Sequence, residues 1–589
     1  MATLKGVRRV KLQFDEKGNP AYESVTSPEC FKIPAGVKLL PHDVIPVIFV
    51  PGVMGSNLRS TEDKKPVWRP PNGKWEGIKA AWQGSKQKPA KRQRLYDPAK
   101  TEVDDSGPCS IPETNFWLTE EEAKHRGWGT VHQGSYHAFL ACLEETLNER
   151  RTESGHLMND LLLTQSLGEK IQDVYRYSPK PEIIAKVAAA DTMAKWQTPS
   201  PPPPLTEEDI KRLGSYYFPV WVHGYNWLRD NAEAAGKLQE TIDKAVNFYR
   251  GSTYFNCVGK VILVTHSMGG LVARCFAQQH PDQVIGVVHG ALPVVGAAAT
   301  YWRFRAGMES GGAFDIEGNL GAIVIGESAN EITPPLACAP GPLELAPTKD
   351  YPKGWLQCAS EPPFMGQGES KAKVLFSLPK EDPYTEIYSK TTDDCWWAMV
   401  DPARIDPAGT IRDNGGKPIK EYKDAIDTAR VFHDKLGLYA HPETYGFYGI
   451  DNRSYRSFGH VEWRGTFGSA ENPPEDLITR KGYANYKYGR VEIAEKEQPP
   501  YKPVVRVLTL APDRNQAGDG TVPQASGEVL RRLQNIAGQD RVFGIEGFSH
   551  QGAYDNVFAR RAAIYFLIRI VRNAPPPSPP RKGAEQCSK

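Results

Sequence analysis

A run of β-branched and aliphatic residues, Val261-Ile-Leu-Val-Thr265, breaks at His-Ser267-Met-Gly269-Gly270 and passes at once into an Ala-rich helical stretch that reaches about Gln279. A strand that feeds a helix through so short a turn needs a strained backbone at the apex, Ser267. The turn lifts the serine hydroxyl above the end of a sheet. It also brings the backbone N–H of Met268, at the start of the helix, into the same space. The first position of the turn is Thr265, where glycine is usual. That site must be small enough to fit against the neighbouring strand.

The surrounding pattern is that of parallel β-α-β units. Val44-Ile-Pro-Val-Ile-Phe-Val50 is apolar almost throughout, as in a strand buried on both faces. Phe218 to Trp227 reads as a strand with its exit loop. Ala232 to Tyr249 reads as a helix with Leu238, Ile242, Ala245 and Phe248 on one face. Val284 to His289 is the strand after the elbow helix. After a long irregular stretch, Val504 to Leu510 restores a strand in the same core. Gly527 to Ala537 then reads as a helix, Arg541 to Ile545 as the last strand, and Asn556 to Asn573 as a long helix ended by Pro575. A surface hairpin is expected within residues 7–26, turning at Asp15-Glu-Lys-Gly-Asn.

Two tracts interrupt this rhythm. Residues 59–210 are rich in Lys, Trp, Pro and Gly, with helices near 135–150 and 182–196. The tract Pro199-Ser-Pro-Pro-Pro-Pro204 reads as polyproline II serving as a linker, a partner motif or a stiff surface loop. A helix starts at Thr206-Glu-Glu-Asp209. Residues 296–500 are dominated by Gly, Pro and aromatics, with one clear helix near 418–436. The expected organisation is an N-terminal extension over 1–42 and a core over 43–295 plus 501–574, interrupted by an insertion over 59–212. A cap or lid insertion over 296–500 and a disordered Pro-rich tail over 575–589 complete it.

Basic and acidic residues nearly cancel, 72 against 70, and no long basic run occurs, so nucleic acid is excluded as the main partner. Nine cysteines show no C-x-x-C and no metal-ligand spacing, and no metal or organic cofactor is expected. A Cys338–Cys358 bridge and reduced thiols both fit that count. The N-terminus lacks the apolar region of a signal peptide, and no apolar run approaches the ~20 residues that span a bilayer. The expectation is a protein that does not leave by the general secretory route.

A serine hydroxyl needs a base to take its proton, an acid to orient that base, and donors for the oxyanion. In sheets of this kind the order is serine, acid, histidine. The acid expected is Asp519, in Gly518-Asp-Gly-Thr-Val-Pro523 after the 504–510 strand, with Asp513 as runner-up. The base expected is His550, in Glu546-Gly-Phe-Ser-His-Gln-Gly552 between the last strand and the last helix. His266 adjoins the nucleophile and is expected to point away from it. His289, His433, His441 and His460 lack the order and loop position of His550. The oxyanion donors expected are the N–H groups of Met268 and of Val53, in Pro51-Gly-Val-Met-Gly55. Apolar residues of the insertions are candidates for acyl contact. Met54, Trp396 and Trp397 are the named substrate-binding candidates, although each tryptophan also suits the core of its own insertion.

Three separated stretches carry a resemblance. Val50-Pro-Gly-Val-Met-Gly-Ser-Asn-Leu58 and Gly518-Asp-Gly-Thr-Val-Pro523 resemble motifs of lecithin–cholesterol acyltransferase relatives. Thr265-His-Ser-Met-Gly-Gly-Leu-Val272 is similar to the elbow of GPI-inositol deacylases. With its length and large insertions, the whole chain most resembles the fourth family of type VI secretion lipase effectors. The resemblance implies an α/β-hydrolase fold with a mostly parallel central sheet, flanking helices and large cap insertions. It further implies a serine lipase or phospholipase acting on membrane phospholipid, export with a type VI spike component, delivery to the periplasm of a target cell, and a cognate immunity protein. Lipid acyl transfer by the same triad, and a non-catalytic binding module on the same fold, remain alternatives. A peptidase is a third.

Overall fold

The computed structural model describes residues 8–22, 35–36, 39–70, 87–111, 118–148, 195–203, 205–308, 326–360, 373–465, 477, 483–485, 489–494, 505–536 and 540–578. Its centre is a six-stranded sheet in the order Val220–Val222, Val47–Val50, Val261–His266, Val284–Gly290, Thr444–Gly449, Val542–Ile545. Every neighbouring pair is parallel. The strands are apolar on both sides because both sides are covered, and alternate residues feed two separate cores. Ile48, Val50, Val261 and Leu263 join the side carrying the helices Asn231–Arg250 and Gly269–Gln279. Val47, Phe49, Ile262 and Val264 join the side carrying Gln133–Asn148 and Val557–Val571. This parallel sheet between helical layers is the expected α/β-hydrolase architecture.

A second six-stranded sheet, of mixed direction, is built from Lys373–Leu378, Leu356–Ser360, Val461–Gly465, Val505–Leu510, Arg490–Ala494 and Tyr483–Asn485. It corrects one expectation. The strand ending at Leu510 lies here, antiparallel to Val461–Gly465 and to Arg490–Ala494, and not in the central sheet. Its place in the core is taken by Thr444–Gly449, from the middle of the tract assigned to the 296–500 insertion. The reason is visible in burial. Leu508 and Leu510 are buried while Val507 and Thr509 are exposed, the two-residue period of a half-covered strand. Thr444–Gly449 is buried at every residue. Its glycines resemble turn residues, yet a Cβ on Gly446 would lie 2.5 Å from Leu530 Cδ2 and 2.8 Å from the carbonyl of His289.

Other expectations are met or redrawn locally. The hairpin pairs Leu12–Phe14 with Pro20–Tyr22, and Phe14 sits edge-on to Phe248 with ring centroids 5.9 Å apart. Thr206 and Asp209 form a capping box on the helix Glu207–Leu213. The Pro199–Pro204 tract is tied to the last helix, since Tyr565 Oη donates to the carbonyl of Pro203 at 2.7 Å. The helix expected over 527–537 is instead a single turn, Gln524–Gly527, followed by a 3-10 segment, Glu528–Arg532, and Asn535 takes a left-handed φ of 69°. The first part of the expected disordered tail is anchored: Ser578 N–H and Oγ donate to the two oxygens of Asp43, both at 2.8 Å. Residues 579–589 and all but the last two residues of the helix expected near 182–196 lie outside the described residues. Cys338 and Cys358 are both free thiols.

The two insertions meet. Helix Pro89–Leu95 of the first lies against Ala329–Leu336 of the second, and Gln93 Nε2 donates to Asp406 Oδ1 at 2.7 Å. Part of the first insertion also belongs to the core, because Gln133–Asn148 covers the central sheet with Tyr136, Phe139 and Leu140.

Candidate active site

Ser267 stands where the elbow strand ends, at φ 51°, a left-handed backbone that a serine holds only at a cost of ~1–3 kcal/mol. Neighbouring groups enforce it. Ser267 N–H donates to the carbonyl of Gly290 at 2.9 Å. The helix that follows comes so close to the first strand that a Cβ on Gly269 would meet the carbonyls of Val50 and Pro51 at 2.4 Å. Thr265 is accommodated because its hydroxyl meets Nδ1 of His289 on the next strand at 2.9 Å.

His550 and Asp519 come to this hydroxyl from two loops. His550 Nε2 lies 2.7 Å from Ser267 Oγ, and His550 Nδ1 lies 2.8 Å from Asp519 Oδ2. The carboxylate is buried and can only accept, so Nδ1 carries the proton and Nε2 presents its lone pair to the serine hydroxyl. The other carboxylate oxygen accepts from the N–H groups of Thr521 and Val522 at 3.0 and 2.7 Å. Asp513, the runner-up, is a largely exposed partner of Arg464 at 3.0 Å.

The acid loop reaches the site by a route its sequence position conceals. It follows the second-sheet strand Val505–Leu510, then returns to the end of Thr444–Gly449. There Asp451 and Gly518 exchange backbone hydrogen bonds of 2.9 and 3.0 Å. Two side chains that the sequence reading did not single out hold this junction. Ser457 Oγ accepts from Gly520 N–H at 3.0 Å and donates to the carbonyl of Val522 at 3.1 Å. Asp451 accepts from Arg453, Ser454 and Tyr455 through one oxygen and from Gly547, in the His550 loop, through the other at 3.2 Å. Burial pushes its carboxyl up, but those N–H groups outweigh burial and hold it below the usual carboxylate range. Both residues follow the Thr444–Gly449 strand, which its glycines disguised.

The loop Pro51–Gly55 passes beside the elbow. A Cβ on Gly52 would lie 2.9 Å from Ser267 Cβ. The loop is fixed on each side of Val53: Tyr225 Oη donates to the carbonyl of Pro51 at 3.0 Å, Trp68 Nε1 donates to that of Met54 at 2.7 Å, and Met54 is left-handed at φ 63°. Among the described residues the N–H groups of Val53 and Met268 find no protein acceptor. His266 is buried, and both of its ring nitrogens are bonded to groups other than Ser267 Oγ. Its Nδ1 lies 2.9 Å from Tyr136 Oη and its Nε2 lies 2.8 Å from the carbonyl of His550.

The tryptophan candidates are corrected. Trp396 and Trp397 are buried in the apolar core under the second sheet. Trp396 Nε1 donates to the carbonyl of Leu477 at 2.8 Å, and its ring sits edge-on to Trp463. Their apolar surface is used inside the insertion and not at a substrate mouth. Met54 remains beside the site, half-buried. Among the described residues no cluster of His, Cys, Asp and Glu is arranged to hold a metal ion, and no helix is long and apolar enough to cross a membrane.

A nucleophile elbow on a six-stranded parallel sheet between helical layers puts the chain among proteins of the α/β-hydrolase fold. Among solved structures it is similar to Tle4, in the crystal structure of the Tle4–Tli4 complex. The TM-score is 0.69 and the identity 29%, with 90% of this chain and 99% of that chain covered. This similarity spans nearly the whole chain, in agreement with the whole-chain resemblance to the fourth family of type VI secretion lipase effectors. No family model and no curated protein matches it.

Proposed function

We propose that the chain is a serine phospholipase that hydrolyses carboxylic ester bonds of membrane phospholipids. One observation carries the reading: His550 joins Ser267 at 2.7 Å and Asp519 at 2.8 Å in the order and polarity that ester cleavage requires. Ser267 Oγ attacks the ester carbonyl while His550 Nε2 takes its proton. Asp519 fixes the tautomer and stabilises the imidazolium. The N–H groups of Val53 and Met268 hold the oxyanion, a donor of this kind contributing ~3 kcal/mol to the transition state. His550 then protonates the leaving alcohol, and water, activated by the same imidazole, releases the fatty acid.

The biological setting follows from the similarity to Tle4, whose solved complex contains Tli4. It supports export by a type VI machine with a spike component, by a route other than the general secretory one. It also supports action in the periplasm of a target cell and a cognate immunity protein in the producer. In this reading segments 59–212 and 296–500, less the parts that join the core, form the cap.

The test is incubation of the pure protein and of Ser267→Ala with mixed phospholipid vesicles, with products identified by mass spectrometry. Released fatty acid and lysophospholipid with the wild type, and neither with the variant, are expected. Acyl product appearing only on an added acceptor alcohol would replace hydrolysis by acyl transfer. Cleavage of short soluble esters with no lipid product would remove the phospholipase reading.

A further inference from the structure

We propose that His266 and Tyr136 form a positioning pair that locks the backbone of His550 and couples it to the oxyanion loop. The proposal rests on the ester-cleavage reading and deepens it.

The polarity of the pair follows step by step. A carbonyl oxygen only accepts, so the 2.8 Å contact between His266 Nε2 and the carbonyl of His550 requires the proton on Nε2. Burial, reinforced by the neighbouring His550, pushes the His266 ring down to about 3, so it is neutral at physiological pH. Nδ1 therefore has no proton and accepts the hydroxyl hydrogen of Tyr136 at 2.9 Å. The Tyr136 oxygen in turn accepts from Gly52 N–H at 3.3 Å. Every donor points the same way, from Gly52 through Tyr136 and His266 to the carbonyl of His550.

Four remote segments meet in this line. Gly52 comes from the loop after the first core strand, Tyr136 from the helix Gln133–Asn148, His266 from the elbow strand, and His550 from the loop after Val542–Ile545. The other backbone polar group of His550 is held as well, because its N–H donates to the carbonyl of Asp519 at 2.7 Å. His550 is thus fixed at both backbone polar groups and at both ring nitrogens. The line has two further consequences. Gly52 N–H is directed at Tyr136, which leaves Val53 N–H to face the substrate oxygen. His266 must also stay uncharged, since its ring centroid lies 5.2 Å from that of His550, where a second cation would oppose the imidazolium of the transition state.

The pair touches neither substrate nor reacting atoms, so its effect belongs in kcat. The experiment compares wild type with Tyr136→Phe, His266→Phe and His266→Gln in the full chain. The readouts are kcat and KM on a soluble ester, the rate of fluorophosphonate labelling of Ser267, and the melting temperature. Expected is an about 10- to 100-fold fall in kcat and in labelling rate for Tyr136→Phe and His266→Phe, with KM unchanged. His266→Gln keeps an amide donor for the His550 carbonyl and an oxygen for the Tyr136 hydroxyl, and is expected to recover most of that loss. The proposal is overturned if folded Tyr136→Phe and His266→Phe keep wild-type kcat. It is equally overturned if His266→Gln is no better than His266→Phe. A wild type that neither cleaves ester nor labels at Ser267 overturns the reading beneath it, an outcome distinct from both.

Discussion

Replacing Gly52 by alanine tests the close fit of the oxyanion loop against the elbow. The φ of Gly52 is not in the left-handed region, so the added methyl acts through space alone. Its carbon would lie 2.9 Å from Ser267 Cβ and 3.0 Å from His266 Nδ1, with the His266 carbonyl at 3.4 Å. Carbon atoms settle at ~3.5–4.0 Å, so one side must retreat by roughly 0.6–1 Å. The elbow is the stiffer side: Ser267 N–H is bonded to Gly290, and His266 is bonded at both ring nitrogens. The loop therefore recedes and carries Val53 N–H with it. A displacement near 1 Å costs about 10²-fold, and outright loss of one donor ~3 kcal/mol, so kcat should fall about 10- to 100-fold with little change in KM. The assay is steady-state kinetics on a soluble ester beside thermal unfolding. Gly236→Ala is the control, since no atom lies within 4 Å of its Cβ position on the helix Asn231–Arg250, and it should gain ~0.5–1 kcal/mol of stability with unchanged kcat. Gly52→Ala retaining kcat within about twofold would refute the reasoning, because the loop would then not be held against Ser267.

Asp519→Asn is expected to leave the fold intact and lower kcat by ~10⁴-fold, since the amide no longer selects the productive tautomer of His550; stopped assays at high enzyme concentration check it. Thr265→Val removes the partner of His289 Nδ1 on a ring whose Nε2 has no hydrogen-bond partner among the described residues, and should cost ~1–3 kcal/mol in urea unfolding. Stability should also fall with acid. Burial holds His223 and His433 at about 4 and His266 and His289 at about 3. In the unfolded chain they titrate near ~6.5, so below that pH the unfolded state binds protons the folded state refuses, at up to ~1.4 kcal/mol per pH unit for each. Glu344 opposes this in part, because burial and Asp230 hold its carboxyl well above the usual range, and its contribution grows as pH falls toward 4.5. A urea midpoint at pH 5 equal to that at pH 7 would contradict the account.

What could be read from the sequence is what local chemistry dictates. The elbow is a strand, a turn and a helix in consecutive residues, and its bounds, Val261–His266 and Gly269–Gln279, fall as the pattern requires. His550 was legible because a strand precedes it and a helix follows it. Asp519 meets His550 by a route the sequence does not display: the strand before it, Val505–Leu510, belongs to the second sheet, and the loop reaches the site by pairing with Asp451. Thr444–Gly449 was missed because glycines at close-approach positions look like turn residues in one dimension. Tyr136, Ser457 and Asp451 were invisible for another reason. Each acts on a segment far away in the chain, and nothing in its own neighbourhood marks it. Trp396 and Trp397 show the converse, since aromatic content shows that surface will be buried but not against what.

The central claim is that Ser267 carries the acyl group between the two halves of the reaction. Brief mixing of the protein with phospholipid vesicles, acid quenching and peptide mass mapping tests it directly. A fatty-acyl mass on the peptide containing Ser267, appearing before free fatty acid accumulates and absent in Ser267→Ala, is the predicted result. Continued fatty-acid release by Ser267→Ala, with no acyl adduct on the wild-type peptide, would contradict it.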